Sequence, residues 1–267
     1  MVADGRGHGL FMNSIDQVRL SFVTCASNLQ VLGERLLASP CLQGSGYPLA
    51  VYFNAPSAAH GFNAAMAAAQ SERSDAPAPA AWLVWTHQDV VLPPGWHATF
   101  MLALGTALQR FPKLAVAGVY GIAGTGADAL RAGHVLDRGT LLREPAQLPC
   151  LVDSLDELLF AVRIDTGLRL DPSLGFDFYA TDLVLQAQER GLQCAVVEAY
   201  CEHWSGTLSS GNLPQAVVNR ILTNGAAFEH KWRHRLPLTT PCFEINQQGD
   251  VARSMKQIMA TPVKDSN

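Results

Sequence analysis

Apolar and polar positions along this chain fall into blocks that switch between the two-residue period of a strand and the 3.6-residue period of a helix. Val18-Arg19-Leu20-Ser21-Phe22-Val23-Thr24 predicts a first strand with the polar exit Cys25-Ala26-Ser27-Asn28. Leu29, Leu32, Leu36 and Leu37 then recur at helical spacing, and Asn28 has the side chain of an N-cap. Pro48-Leu49-Ala50-Val51-Tyr52-Phe53 predicts a second strand that stops at Asn54-Ala55-Pro56-Ser57. The alanine-rich run 58–70 reads as a closely packed helix. Residues 71–80, with Asp75-Ala76-Pro77-Ala78-Pro79, read as a surface loop.

The third apolar run, Ala81-Trp82-Leu83-Val84-Trp85, ends abruptly at the polar triplet His87-Gln88-Asp89. Leu92-Pro93-Pro94-Gly95-Trp96 then leads into a helix expected over 94–110. A strand is predicted at 114–119. The glycine-rich stretch 121–126 reads as a flexible connection, since it lacks the Lys-Ser/Thr ending of a phosphate loop and the acidic partner of a dinucleotide fingerprint. Residues 131–149 show no regular pattern. Ser154 and Glu157 have capping-box spacing, ahead of the apolar Phe160-Ala161-Val162-Arg163-Ile164. Asp177-Phe178-Tyr179-Ala180-Thr181-Asp182 enters a helix over 183–190 closed by Gly191, and a strand over 193–199 leads to Cys201-Glu202-His203-Trp204-Ser205. Beyond that the alternation is lost, with a loop at 206–214 and helices after it.

Alternating strands and helices over this much chain argue for a layered α/β fold built on a largely parallel sheet. The expected division is a mobile lead-in at 1–15, one domain over 16–205, and a C-terminal extension over 206–267 that serves as a lid, an acceptor platform or a subunit contact. The chain's 267 residues suffice for a sizeable core, and we detect no internal repeat. Charged residues make up only 16% and the net charge is -4, which argues against a broad nucleic-acid surface. No apolar segment is long enough to span a bilayer. Met1-Val2-Ala3-Asp4-Gly5-Arg6-Gly7-His8 lacks the apolar centre of a secretory signal, so a cytoplasmic protein is expected. Six scattered cysteines without a CxxC pair read as reduced packing residues.

Three polar clusters fall where strands end or helices begin: His87-Gln88-Asp89, the run from Asp177 to Asp182, and Glu202-His203. A carboxylate and an imidazole contributed by different elements suit a divalent metal that keeps positions open for oxygen ligands. The order of these features resembles the A-type glycosyltransferases, in particular their bacterial family-2-like group. The residues that carry the resemblance, from about Val18 to Ser205, are the strand-end Asn54 with Gly61-Phe62-Asn63-Ala64-Ala65, the strand into HQD followed by LPPGW, the helix entry GFDFYATDL, and His203-Trp204-Ser205.

The resemblance implies a three-layer α/β/α sandwich of the nucleotide-diphospho-sugar transferase type, with a mostly parallel mixed sheet and a C-terminal helical extension. It further implies a nucleotide-sugar donor, a carbohydrate or other hydroxyl acceptor, and Mn²⁺ or Mg²⁺. The family's Asp-x-Asp motif is matched here only at its last position by Asp89, while His87 stands where the first acid would contact the nucleotide. By the same resemblance Asp89 and His203 are metal ligands, Asp182 is the general base of an inverting transfer, and Thr24, Ala26, Asn54 and Asn63 border the nucleotide. His134 and Trp204 stand as possible sugar or acceptor contacts. Each of these positions also has an ordinary structural use, in a turn, a cap or a packed core. Two other functions remain open from sequence: a sugar-nucleotide-binding or scaffold protein without turnover, and a hydrolase that uses water on the same donor.

Overall fold

The computed structural model describes residues 18–44, 46–72, 80–205 and 213–260. The expected lead-in at 1–15, most of the 71–80 loop, the 206–212 part of the later loop and the tail from 263 onward lie outside the described residues. In chain order the elements begin with β1 (Val18–Ala26), α1 (Leu29–Glu34), β2 (Leu49–Phe53), α2 (Ala58–Ser71), β3 (Ala80–Thr86), β4 (Val90–Val91), α3 (Trp96–Arg110) and β5 (Leu114–Gly118). A strand-rich middle follows, with β6 (Tyr120–Ala123), β7 (Leu130–Asp137), β8 (Thr140–Arg143), β9 (Cys150–Leu151), β10 (Ser154–Leu155) and β11 (Leu159–Arg163). The chain then runs through α4 (Tyr179–Glu189), β12 (Gln193–Val196), β13 (Cys201–His203), α5 (Gln215–Lys231), β14 (Leu238–Thr239), β15 (Glu244–Ile245) and α6 (Asp250–Ala260).

The main sheet has the order β2-β1-β3-β11-β5-β12-β9. Its strands β2, β1, β3, β5 and β12 run one way, and β11 and β9 run against them. Strand alternation sends Leu20, Phe22, Trp82 and Val84 to one face, where they pack with Leu32 and with Trp96, Phe100 and Leu104 of α3. Val23, Leu83, Trp85 and Phe160 face the other way, against Phe62 and Met66 of α2 and Tyr179 and Leu183 of α4. The expected α/β architecture is therefore present, with helices on both faces of a mixed sheet. The predicted cap is present too: Asn28 Oδ1 accepts from the backbone N–H groups of Gln30 (3.0 Å) and Val31 (3.1 Å).

Three sequence expectations are corrected. The stretch 121–126 is not a simple flexible link, because its first half belongs to β6, which pairs with β7 and β10. Gly121 is glycine because a Cβ there would run into the Ser154 carbonyl oxygen. The patternless 131–149 segment supplies most of β7 and all of β8. Ser154 caps no helix: it lies in β10, and its Oγ bonds Thr181 Oγ1 at 2.7 Å. These strands form a second sheet, ordered β10-β6-β7-β13-β4 with β8 on β7.

The C-terminal segment builds a third core. Phe228 of α5, Trp232 just past its end, and Val251 and Met255 of α6 close around Phe178 and Leu185, so the extension packs against the outer side of α4. Among the described residues the cysteines form no disulfide, and no helix is long and apolar enough to cross a membrane.

Candidate functional site

The second sheet assembles a cluster that no short motif contains. β4 pairs antiparallel with β13 so that Val90 lies opposite His203, and this sets Asp89 beside that imidazole. The Trp204 N–H donates to the Asp89 carbonyl at 3.0 Å and continues the pairing. On its other side β13 runs parallel to β7, with His203 opposite Asp137. At the end of β3, the His87 N–H donates to the Leu158 carbonyl at 2.9 Å, holding the triplet against the entry of β11. The result is a group of His87, Asp89 and His203 whose ligand atoms all lie within 4.8 Å of one another.

His203 Nε2 is 3.4 Å from Asp89 Oδ1, and His87 Nδ1 is 4.0 Å from the same oxygen. The closer pair is an ion-pair contact that lacks the alignment of a hydrogen bond, so Asp89 Oδ1 and His203 Nε2 are both buried without a hydrogen-bond partner. Each imidazole is held by its far nitrogen. His203 Nδ1 lies 2.8 Å from Asp137 Oδ1, and His87 Nε2 lies 2.8 Å from the Tyr179 hydroxyl. Tyr179 also reaches the Glu157 carbonyl at 3.5 Å. That arrangement permits the tautomer in which His87 Nε2–H donates to Tyr179 and Nδ1 keeps its lone pair for the cluster.

Burial works against charge on His203, yet the Asp137 and Asp89 carboxylates overcome it and raise its pKa to about 9. Burial also opposes ionisation of Asp89, and contact with His203 and His87 still holds its carboxyl below the usual range. For His87, desolvation is the largest influence and lowers the pKa. Two imidazoles that present nitrogen to a buried, ionised carboxylate, with their other nitrogens anchored, form a donor set that fits a divalent ion. Such an ion would satisfy both partnerless atoms and replace the His203 proton.

The cluster opens onto a cavity of about 530 Å³. Its polar side carries His87, His203, Asp137, Asp156, Glu157 and Asp177, with Arg138 and Arg220 as cations, and its other side is formed largely by apolar residues of α5, α6 and the segment around Phe243. Arg220 grips Asp177 through Nε (2.9 Å) and Nη2 (3.1 Å), while Asn224 Nδ2 donates to the same carboxylate at 2.7 Å. Asp156 Oδ1 accepts from the Leu158 N–H at 2.9 Å. Glu157 Oε1 is buried with no partner. Desolvation, reinforced by Asp177 and Asp156, pushes the Glu157 carboxyl well above its ordinary pKa.

Asp182, expected as the base, does not reach this cavity. Its side chain is 0% exposed, with Oδ1 2.6 Å from Lys231 Nζ. Oδ1 also accepts from Trp232 Nε1 at 2.8 Å, and Oδ2 accepts from Gln186 Nε2 at 2.7 Å. Burial raises its pKa while the Lys231 ammonium acts in the opposite direction. This acid is an anchor between α4 and α5.

Of the residues expected at the nucleotide, His87 lines the cavity, while Thr24, Ala26, Asn54 and Asn63 lie away from its lining. Thr24 is fully buried and its hydroxyl has no partner. Ala26, also buried, accepts the Asn54 N–H at 2.7 Å, and Asn54 is exposed with a positive φ of 53°. The amide of Asn63 is committed to the Leu170 backbone, donating to its carbonyl (2.9 Å) and accepting its N–H (3.0 Å). His134 Nδ1 lies 2.9 Å from Glu198 Oε1. The indole N–H of Trp204 donates to Glu202 at 3.0 Å, and the Arg35 guanidinium lies over its ring.

Gln88, the middle of the triplet, had no assigned role from sequence. Its Oε1 accepts the N–H groups of Ser27 and Asn28 at 3.0 Å each, which ties the exit of β1 to the cluster. Asp137, Tyr179 and the cavity position of Glu157 were also missed. The one signal in sequence for Glu157 was an acidic pair ahead of an apolar strand.

No family model matches the chain. A protein described as "ATP synthase subunits region ORF 6", from Fuscovulum blasticum, is 28% identical over 140 residues. The match covers 49% of this chain and 54% of that protein, so the chain spans about half the length of that relative.

Proposed function

We propose that the protein is a divalent-metal-dependent, inverting glycosyltransferase that moves a sugar from a nucleotide-sugar donor to an acceptor hydroxyl. The observation that carries this reading is the His87–Asp89–His203 group at the end of a central strand, with two buried ligand atoms lacking hydrogen-bond partners and a cavity lined with acids beside it. A mixed sheet covered by helices on both faces is compatible with the nucleotide-diphospho-sugar transferase architecture that the sequence resembles.

In this reading Asp89, His203 and His87 hold the ion, which when bound offsets the charge of the donor diphosphate. Mn²⁺ suits the site better than Mg²⁺, because two of the three donors are nitrogen and Mg²⁺ prefers oxygen. Asp137 and Tyr179 keep the imidazoles oriented. Arg138, on the cavity wall, adds positive charge near the cluster. Gln88 keeps the β1 exit, where the nucleotide is expected, in register with the triplet.

The test is a thermal-shift series with UDP-, GDP-, CDP- and dTDP-sugars, each with and without Mn²⁺. Stabilisation that needs both nucleotide and metal is the expected result. Failure of every nucleotide to shift the transition, with or without metal, overturns the reading.

A further inference from the structure

Transfer with inversion needs one group on the cavity wall to take the acceptor's proton as its oxygen attacks. The carboxylates that reach the cavity differ in what already occupies them. Asp137 is bound to His203 and to Arg138. Asp177 is gripped by Arg220 and Asn224. Asp156 accepts a backbone N–H. Glu157 alone among these four has a buried oxygen with no partner. Its main chain is fixed beside the metal cluster, because its carbonyl accepts both the Trp85 indole N–H (3.0 Å) and the Tyr179 hydroxyl that holds His87.

From this geometry we propose that Glu157 is the catalytic base of the transfer, an inference that rests on the transferase reading above. The acceptor oxygen forms a bond to the anomeric carbon, and the bond from that carbon to the diphosphate oxygen breaks. The nucleoside diphosphate leaves with the bonding electron pair, and the acceptor's proton passes to Glu157 Oε1. The groups facing Glu157 are Asp156 on its own segment, Asp177 and Tyr179 at the entry of α4, Arg220 on α5, and Cys242 beside Phe243. Burial and the two neighbouring acids raise the proton affinity of the carboxylate.

The experiment compares the wild type with Glu157→Gln and Glu157→Asp. It measures nucleoside diphosphate release from the four nucleotide-sugar classes with Mn²⁺, using water, methyl glycosides and octyl glycosides as acceptors. Glu157→Gln keeps size and removes the titratable carboxyl, and unfolding curves check that both variants are folded. The expected result is a kcat loss of about 100-fold or more for Glu157→Gln. Donor KM and Mn²⁺-dependent nucleotide stabilisation stay within about twofold, the rise of rate with pH on the acid side disappears, and Glu157→Asp retains more activity than Glu157→Gln. Glu157→Gln with a kcat within about threefold of wild type would overturn the base assignment and leave the transferase reading standing. A wild type that binds nucleotide with Mn²⁺ but releases no diphosphate from any donor overturns both the assignment and turnover. A wild type that does neither overturns the site itself.

Discussion

Asp137 and His203 occupy paired positions on neighbouring parallel strands, and the Asp137 carboxylate lies 2.8 Å from His203 Nδ1. Strand register alone brings together two residues far apart in the chain, so the imidazole that faces Asp89 is oriented by backbone pairing as well as by its carboxylate partner.

Replacing Asp137 with Asn should therefore weaken the proposed metal site without removing a ligand. Such outer partners of a ligating histidine typically contribute 10–100-fold in affinity. Calorimetric titration with Mn²⁺ is expected to show a loss of that size, and an unchanged affinity would remove Asp137 from the site.

Without metal, His203 gives stability a definite slope with pH. Its pKa is raised from the ordinary 6.5 to about 9 in the folded chain, so its contribution is full below about 6.5 and disappears as pH rises through 9. In EDTA, the Tm should fall across that interval through this group, and His203→Gln should flatten the slope. A wild-type curve no steeper than the variant's would contradict the assignment.

Asp182→Asn removes the negative partner of Lys231 inside the packing and leaves the Trp232 indole a weaker acceptor. Breaking a buried pair from one side typically costs 3–5 kcal/mol. The cost here should be about 3 kcal/mol, because Lys231 is partly exposed and keeps Asp171 at 2.6 Å. Urea unfolding is the measurement. A variant as stable as wild type would show that Asp182 contributes little to the packing of α4 on α5.

Gly121→Ala should act on both stability and rate. The added methyl meets the Ser154 carbonyl oxygen, and displacing β10 moves the segment that carries Asp156 and Glu157. Overpacking of this kind costs about 1–3 kcal/mol. The variant is expected to lose catalytic rate at temperatures where it remains folded, whereas an alanine tolerated with wild-type Tm and rate would show that the contact relaxes freely.

Strands β1, β2, β3, β5 and β12 of the main sheet were legible because they are apolar runs with clear ends, whereas β11 follows a capping-box spacing that suggests a helix and β9 is too short to stand out. Asn28 and Gly191 mark helix boundaries by local chemistry that needs no partner. The second sheet was not. Its strands are short, and at Gly121 glycine reflects close approach of another strand, which in sequence looks the same as a flexible link. His87, Asp89 and His203 could be singled out because polar residues at strand ends stand out from apolar runs. Asp137 could not, since nothing local to 130–137 reveals which strand lies beside it. Asp182 has the local pattern of an acid at the first turn of a helix, and only the arrival of Lys231 and Trp232 from α5 shows that it is enclosed.

Helix α5 joins these two regions mechanically. One end is pinned where Lys231 spans Asp171 and Asp182, and roughly 16 Å along its axis Arg220 clamps Asp177 beside Glu157. A rod held at both ends makes the far ion pair a pivot for the cavity wall. Lesions at Lys231 should then reach the reacting groups as small displacements of Arg220, and an error of about 1 Å in such positioning can cost on the order of 100-fold in rate. Under the proposed transfer, the enclosed acid would govern rate through leverage, at a distance from the substrate.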